Sequence, residues 1–132
     1  MSHVERVVMR VLIVEPERRP KVKEIDGSLE SMQKVVGGYI QALYPFNDPV
    51  ALVVNNEGKL MTLPANRGLR DQSGRIYDIL CGAFFICGAP ADCDHFIGLT
   101  PEQAERYRER FYTPEMFWGM DGRIVCLPME VD

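Results

Sequence analysis

An α+β fold, a mixed and mainly antiparallel sheet with two or three short helices packed on it, is predicted by three features of the chain. Apolar, strand-length runs recur at Val7 to Val14, Val50 to Val54 and Gly82 to Gly88. Turn signals, not long helical patterns, separate most of the runs, as hairpins require. Helical spacing and capping chemistry occur in only a few short stretches. Many hairpins with few helices point away from a doubly wound sheet.

Taken in order, Val7 to Val14 (VVMRVLIV) is β-branched and reads as a central strand. Glu15 to Pro20 turns the chain, and Lys21 to Ile25 alternates polar and apolar as a half-exposed partner strand does. Asp26-Gly27-Ser28 supplies cap chemistry for a helix whose Leu29, Met32 and Val36 share one face, and Gly37-Gly38 stops it. Tyr39 to Tyr44 is a strand, Pro45 to Pro49 a loop, and Val50 to Val54 a buried strand. Asn55-Asn56-Glu57-Gly58 then reads as a hairpin turn returning through Lys59 to Leu63. Pro64 to Gly74 is a polar loop, Ile76 to Leu80 a short apolar piece, and Ala89 to Leu99 a loop after the strand at Gly82 to Gly88.

Thr100 to Tyr112 is the strongest helix. Thr100 is its N-cap, Pro101 suits the first position, Gln103 completes a capping box, and Ala104, Tyr107 and Phe111 form one face. Glu102 and Arg106 have the spacing of an i, i+4 ion pair. Thr113-Pro114-Glu115 predicts a second, shorter helix, and Asp121-Gly122 turns into a last strand at Arg123 to Leu127.

With 132 residues and 46% hydrophobic content, the chain is expected to be one domain with its own core. Its apolar runs fall far below the roughly 18–20 residues of a membrane span, and the charged N-terminus does not look like a signal peptide. A cytoplasmic location without membrane contact is therefore expected. The net charge of −4, with neither half basic, argues against general nucleic-acid binding. In a reducing compartment the four cysteines are not expected to pair, and Cys81 and Cys87 read as small buried hydrophobes.

Catalytic patterns are sparse. The glycines form neither GxxxxGK nor GxGxxG, and Gly37-Gly38 is a helix stop. Cys93-Asp94-His95 holds two metal-ligand types, but structural zinc uses four in paired spacing, so neither a metal nor another cofactor is expected. His3 lies near the terminus, and His95 beside Asp94 reads first as a surface histidine. The segment Asn66-Arg67-Gly68-Leu69-Arg70-Asp71 is the candidate ligand site. Its asparagine and two arginines would grip a phosphate or carboxylate through the planar guanidinium fork. The competing reading is structural: Arg70 pairs with Asp71 or Asp78, and Asn66 holds a turn. Arg106 to Arg110 interleaves arginine with glutamate and reads as a solvated face.

Across roughly Arg10 to Val125 the chain resembles the bacterial family called domain of unknown function 3846. The resemblance is carried by MRVLIVEPERRPKVKEIDGSLESMQKVVGGYIQALYP, ALVVNNEGKLMTLPANRGLR and IYDILCGAFFICG, and most specifically by NNEGKL with the following LPANR. Its start at Met9-Arg10 sets the residues before it apart as an N-terminal extension or a different start choice. The resemblance implies a small accessory protein of a phage or mobile element and singles out Asn66 and Arg67.

Three functions compete at this point. The first is a non-enzymatic protein that binds a host protein or sequesters a small anionic ligand such as a nucleotide, including in counter-defence. The second is a small enzyme acting on a nucleotide or peptide through Asp78, Asp94 or His95. The third is a structural, homo-oligomer-forming module with Tyr39, Tyr44 or Trp118 at its interface.

Overall fold

A computed structural model describes residues 8–131. His3, the first residue of the expected opening strand and nearly all of the proposed N-terminal extension lie outside them. The elements run β1 (Val8–Val14), β2 (Lys21–Asp26), α1 (Leu29–Val36), β3 (Ile40–Leu43), β4 (Val50–Asn55), β5 (Ala65–Arg70), β6 (Ile76–Cys81), β7 (Phe84–Gly88), α2 (Pro101–Arg110), β8 (Glu115–Met120) and β9 (Arg123–Pro128).

Side chains alternate across a strand, and here both faces of the central sheet are covered. The sheet has the order β2-β1-β7-β4-β3, with every neighbouring pair antiparallel. Met9, Val11 and Ile13 of β1, Ala51 and Val53 of β4, and Phe85 and Cys87 of β7 pack with Met32 and Val36 of α1. Their alternate neighbours Leu12, Val14, Val50, Leu52, Phe84 and Ile86 face the other way. These pack with Ala104 and Tyr107 of α2, Phe111 just beyond it, and Leu69 and Leu80 from the β5–β6 hairpin. Double coverage explains why VALVV and FFIC are almost uninterrupted apolar runs in an antiparallel sheet. Each large apolar side chain so buried contributes roughly 1.5–3 kcal/mol.

The local signals of both helices hold. Ser28 caps α1 by accepting from the Ser31 amide, and Gly37 ends it at φ 79°. Thr100 and Gln103 form the reciprocal capping box of α2. The two helices lie on opposite faces of the sheet, not on one side, because β1, β4 and β7 each present an apolar set to both faces. Leu29 is 55% exposed and does not join the Met32–Val36 stripe. Arg106 pairs with Asp48 at 2.7 Å in place of Glu102.

Three segments depart further from expectation. Lys59 to Leu63 is not a strand: Met61, Thr62 and Leu63 curl back to the carbonyls of Glu57, Lys59 and Gly58. The polar stretch expected as a loop instead contains β5, paired antiparallel with β6. The helix expected after Thr113 is β8, hairpinned to β9 through Asp121 and Gly122, which both have positive φ (50° and 75°). Two positive-φ residues define the tight turn that suits the twist of a hairpin.

Candidate functional site

Asn66 and Arg67, the centre of the sequence-derived site, are 0% and 1% exposed. A register shift between Ala65 and Arg67 breaks the alternation of β5 and turns both consecutive side chains inward. Asn66 Nδ2 donates to the carbonyls of Val14 and Gly82, each at 2.9 Å. Arg67 donates from Nε to Phe111 O at 3.1 Å, from Nη2 to Arg18 O at 2.7 Å, and from Nη1 to Asn66 Oδ1 at 2.8 Å. The β1–β2 turn, β5 and the end of α2 thus converge on one guanidinium. Burial pulls the Arg67 pKa down to about 10, with partial compensation from the Glu115 charge.

Arg70 and Asp71 stand apart from that pair. Arg70 forks onto Glu115 of β8 and also reaches the Cys126 sulfur. Glu115 Oε1 additionally accepts from the Gly68 amide at 3.0 Å. Burial alone would raise the Glu115 carboxyl, but hydrogen bonds from Arg70, Cys126 and Gly68 outweigh it and hold its pKa below the ordinary value. Asp71 closes the β5–β6 turn by accepting from the Ser73 amide and hydroxyl and the Arg75 amide. Asp78 pairs with Lys59. Asn66, Arg67, Arg70 and Asp71 therefore form two internal ties and a turn, and none of them lines the open groove on the α1 face of the sheet.

That groove has a volume of about 1070 Å³. One wall is the β2–α1 junction and α1 itself, with Asp26, Ser28, Glu30, Ser31, Met32 and Lys34; Tyr44 adds an aromatic ring. The opposite wall is the loop after β7, with Ala89, Pro90, Ala91, Cys93, Asp94, His95 and Phe96. The loop is fixed at its base: Gly88 and Ile97 exchange backbone hydrogen bonds of 2.7 and 2.9 Å, and the Ala89 amide donates to Pro49 O at 2.8 Å. On the α1 side, Asp26 Oδ1 accepts from the Ser28 amide and the Ser31 hydroxyl.

Chemically, the groove joins an apolar strip (Met32, Tyr44, Ala89, Pro90, Phe96) to a polar rim. Among the described residues that line it, the rim carries Asp26, Glu30 and Asp94 against one full-time cation, Lys34, an excess of acid. Asp94 is held below the ordinary carboxyl range by its hydrogen bond from His95. Cys93, Asp94 and His95 stand out in the sequence, whereas the α1 wall does not. Glu30 and Lys34 look like an ordinary solvated helix face until the loop after β7 is seen opposite them.

A small α+β protein whose antiparallel sheet is covered on both faces, with an open groove beside α1, is the class defined by this fold and site. The chain belongs to the Domain of unknown function (DUF3846) family, whose sequence profile matches residues 9–112. The match includes α2 and ends before β8, so it is shorter than the resemblance through Val125 anticipated. No curated protein and no solved structure matches the chain. Among the described residues no helix is long and apolar enough to cross a membrane.

Proposed function

We propose that this protein is a non-enzymatic binding protein whose groove takes a basic, partly apolar segment of a partner protein. The observation that carries the proposal is the pairing of the apolar strip with the acidic side chains of Glu30 and Asp94 on the rim. Such a rim repels an anion and attracts lysine or arginine side chains, while the strip accommodates an aliphatic or aromatic anchor. This favours a host protein over a small anionic ligand or nucleotide, because Arg67 is enclosed and Arg70 is paired with Glu115. Within the same proposal the protein serves as an accessory factor of a phage or mobile element, a counter-defence role included.

Fluorescence anisotropy with labelled peptides of matched length tests the reading. Basic amphipathic peptides are expected to bind, with Glu30→Lys weakening them at least five-fold and relieving discrimination against acidic peptides. Binding of nucleotides in preference to every basic peptide, unchanged by Glu30→Lys, would overturn it.

A second reading, a self-associating module, is favoured by the β8–β9 hairpin. Register places Met116, Trp118 and Met120 on one face with Val125 and Leu127, and Trp118, Met120 and Leu127 are 47%, 61% and 46% exposed. Light scattering coupled to size exclusion decides: a dimer that Trp118→Ser dissociates supports it, and a monomer at high concentration removes it.

A further inference from the structure

We infer that Cys93, Asp94 and His95 form a binding site for a divalent transition-metal ion of the zinc type, at the rim of the groove. Their ligand atoms all lie within 4.8 Å of one another. Cys93 Sγ stands 3.3 Å from His95 Nδ1 and 3.5 Å from His95 Nε2, and Asp94 Oδ1 stands 3.1 Å from Nδ1. A tetrahedral zinc with a Zn–S bond of about 2.3 Å and Zn–N and Zn–O bonds of about 2.0–2.2 Å holds adjacent ligand atoms about 3.3–3.6 Å apart. The Cys93–His95 separation is therefore already at the length the metal requires, and a turn of the largely exposed His95 ring aims one nitrogen at the ion. Rotation of the Asp94 side chain, which is fully exposed, sets the two remaining edges.

The ligand set is chemically apt. Thiolate, imidazole and carboxylate together select a borderline cation over calcium or magnesium, which prefer all-oxygen shells. Three ligands leave a fourth position for water or for a donor from whatever occupies the groove, which is the pattern of an open zinc site and not of a closed structural one. This is why the paired four-ligand spacing sought in the sequence is missing. The loop bearing the three residues is anchored by the Gly88–Ile97 bridge, and the Cys93 amide donates back to Pro90 O at 3.1 Å, so their backbone is held in place before the metal arrives. On binding, the Cys93 thiol releases its proton to solvent and the imidazole coordinates as the neutral base. The remaining cysteines compete poorly. Burial pushes the Cys87 thiol up to about 12 and also raises that of Cys81, and Cys126 is bonded to Glu115 and Arg70. The inference stands on this geometry and does not need the peptide reading, but an ion bound here takes up the Asp94 charge on which that reading draws.

Cobalt(II) titration of the reduced full-length chain is the test. A sulfur-to-cobalt charge-transfer band in the near ultraviolet, with visible bands of tetrahedral cobalt, is expected to saturate at one equivalent and to be reversed by zinc. Cys93→Ser should abolish the charge-transfer band. His95→Ala and Asp94→Ala should each weaken binding at least ten-fold, while Cys126→Ser leaves the band intact. Asp94 and His95 are exposed and Cys93 is half-buried in the same loop, so substitution should leave the fold unchanged, which circular dichroism checks directly. Absence of the band in the parent protein, or its persistence in Cys93→Ser, would overturn the inference.

Discussion

Asn66 Oδ1 accepts a 2.8 Å hydrogen bond from Nη1 of its own chain neighbour, Arg67, with both side chains fully enclosed in the protein. Consecutive strand residues normally point to opposite faces, so this contact exists only because β5 shifts register between Ala65 and Arg67. Through it, an asparagine bonded to β1 and to the Gly82 carbonyl orients an arginine bonded to the β1–β2 turn and to Phe111.

Arg67→Met tests whether this pair is a structural tie. The substitution keeps much of the apolar bulk but strands the carbonyls of Arg18 and Phe111 and the Asn66 oxygen. Stranded buried acceptors cost about 1–3 kcal/mol each where no water reaches them, so a total loss of roughly 2–4 kcal/mol is expected. Urea denaturation followed by circular dichroism measures it. A loss below about 0.5 kcal/mol, typical of a surface substitution, would show that the guanidinium is not holding the fold.

The same pair explains what the sequence could and could not reveal. Ser28, Gly37 and the Thr100–Gln103 box are local devices whose partners lie within three or four residues, so they are legible in one dimension. The partners of Arg67 are 44 and 49 residues away, and a core strand whose polar groups face distant carbonyls has the composition of a loop. Glu115 misled in the opposite direction. It has the cap-flanking position of a helix start, yet its carboxylate is engaged by Arg70 and Gly68, 45 and 47 residues away. The better signal there was Asp121-Gly122 between two apolar-rich segments, a hairpin signature. The groove was less legible still, because its walls come from segments about sixty residues apart.

Glu115 predicts a specific pH dependence. Its folded-state pKa lies below the ordinary 4.5, so its ionised form favours the fold. That contribution is complete above about pH 5 and is lost as the pH falls through the folded-state value. Glu115→Gln is therefore expected to cost about 1–2 kcal/mol near pH 7, and most of the gap to the parent protein should close toward pH 3. Urea midpoints at the two pH values provide the check. A gap that does not narrow on acidification would show that the carboxylate charge is not what Arg70 and Gly68 recognise.

Gly82 and Gly74 offer a controlled comparison. Both have positive φ, 81° and 86°, but a Cβ on Gly82 would stand 2.7 Å from Leu63 Cδ1, whereas one on Gly74 would meet nothing within 4 Å. Gly74→Ala should cost about 1 kcal/mol, for backbone conformation alone. Gly82→Ala should cost more, about 1.5–2.5 kcal/mol, because the half-buried Leu63 side chain must also swing aside. Leu63→Ala in the Gly82→Ala background should recover part of that difference. Equal costs at the two glycines, measured by thermal or urea unfolding, would show that the Leu63 contact is unimportant.

Asn55 separates two accounts of the segment that follows β4. As a hairpin-turn residue it would tolerate glycine or aspartate, both at home in such turns. In the structure its Nδ2 instead donates to Val36 O at the end of α1, at 3.1 Å, while its Oδ1 accepts from the Glu57 amide at 2.8 Å. Aspartate keeps the second bond but loses the first, and it places a negative charge at the negative end of a helix. Asn55→Asp is therefore expected to destabilise at least as much as Asn55→Ala, by about 1–3 kcal/mol, and to accelerate amide exchange through residues 56–63. Hydrogen exchange and urea unfolding read the two effects separately. Full tolerance of aspartate would restore the hairpin-turn account and remove Asn55 as the link between α1 and the turn after β4.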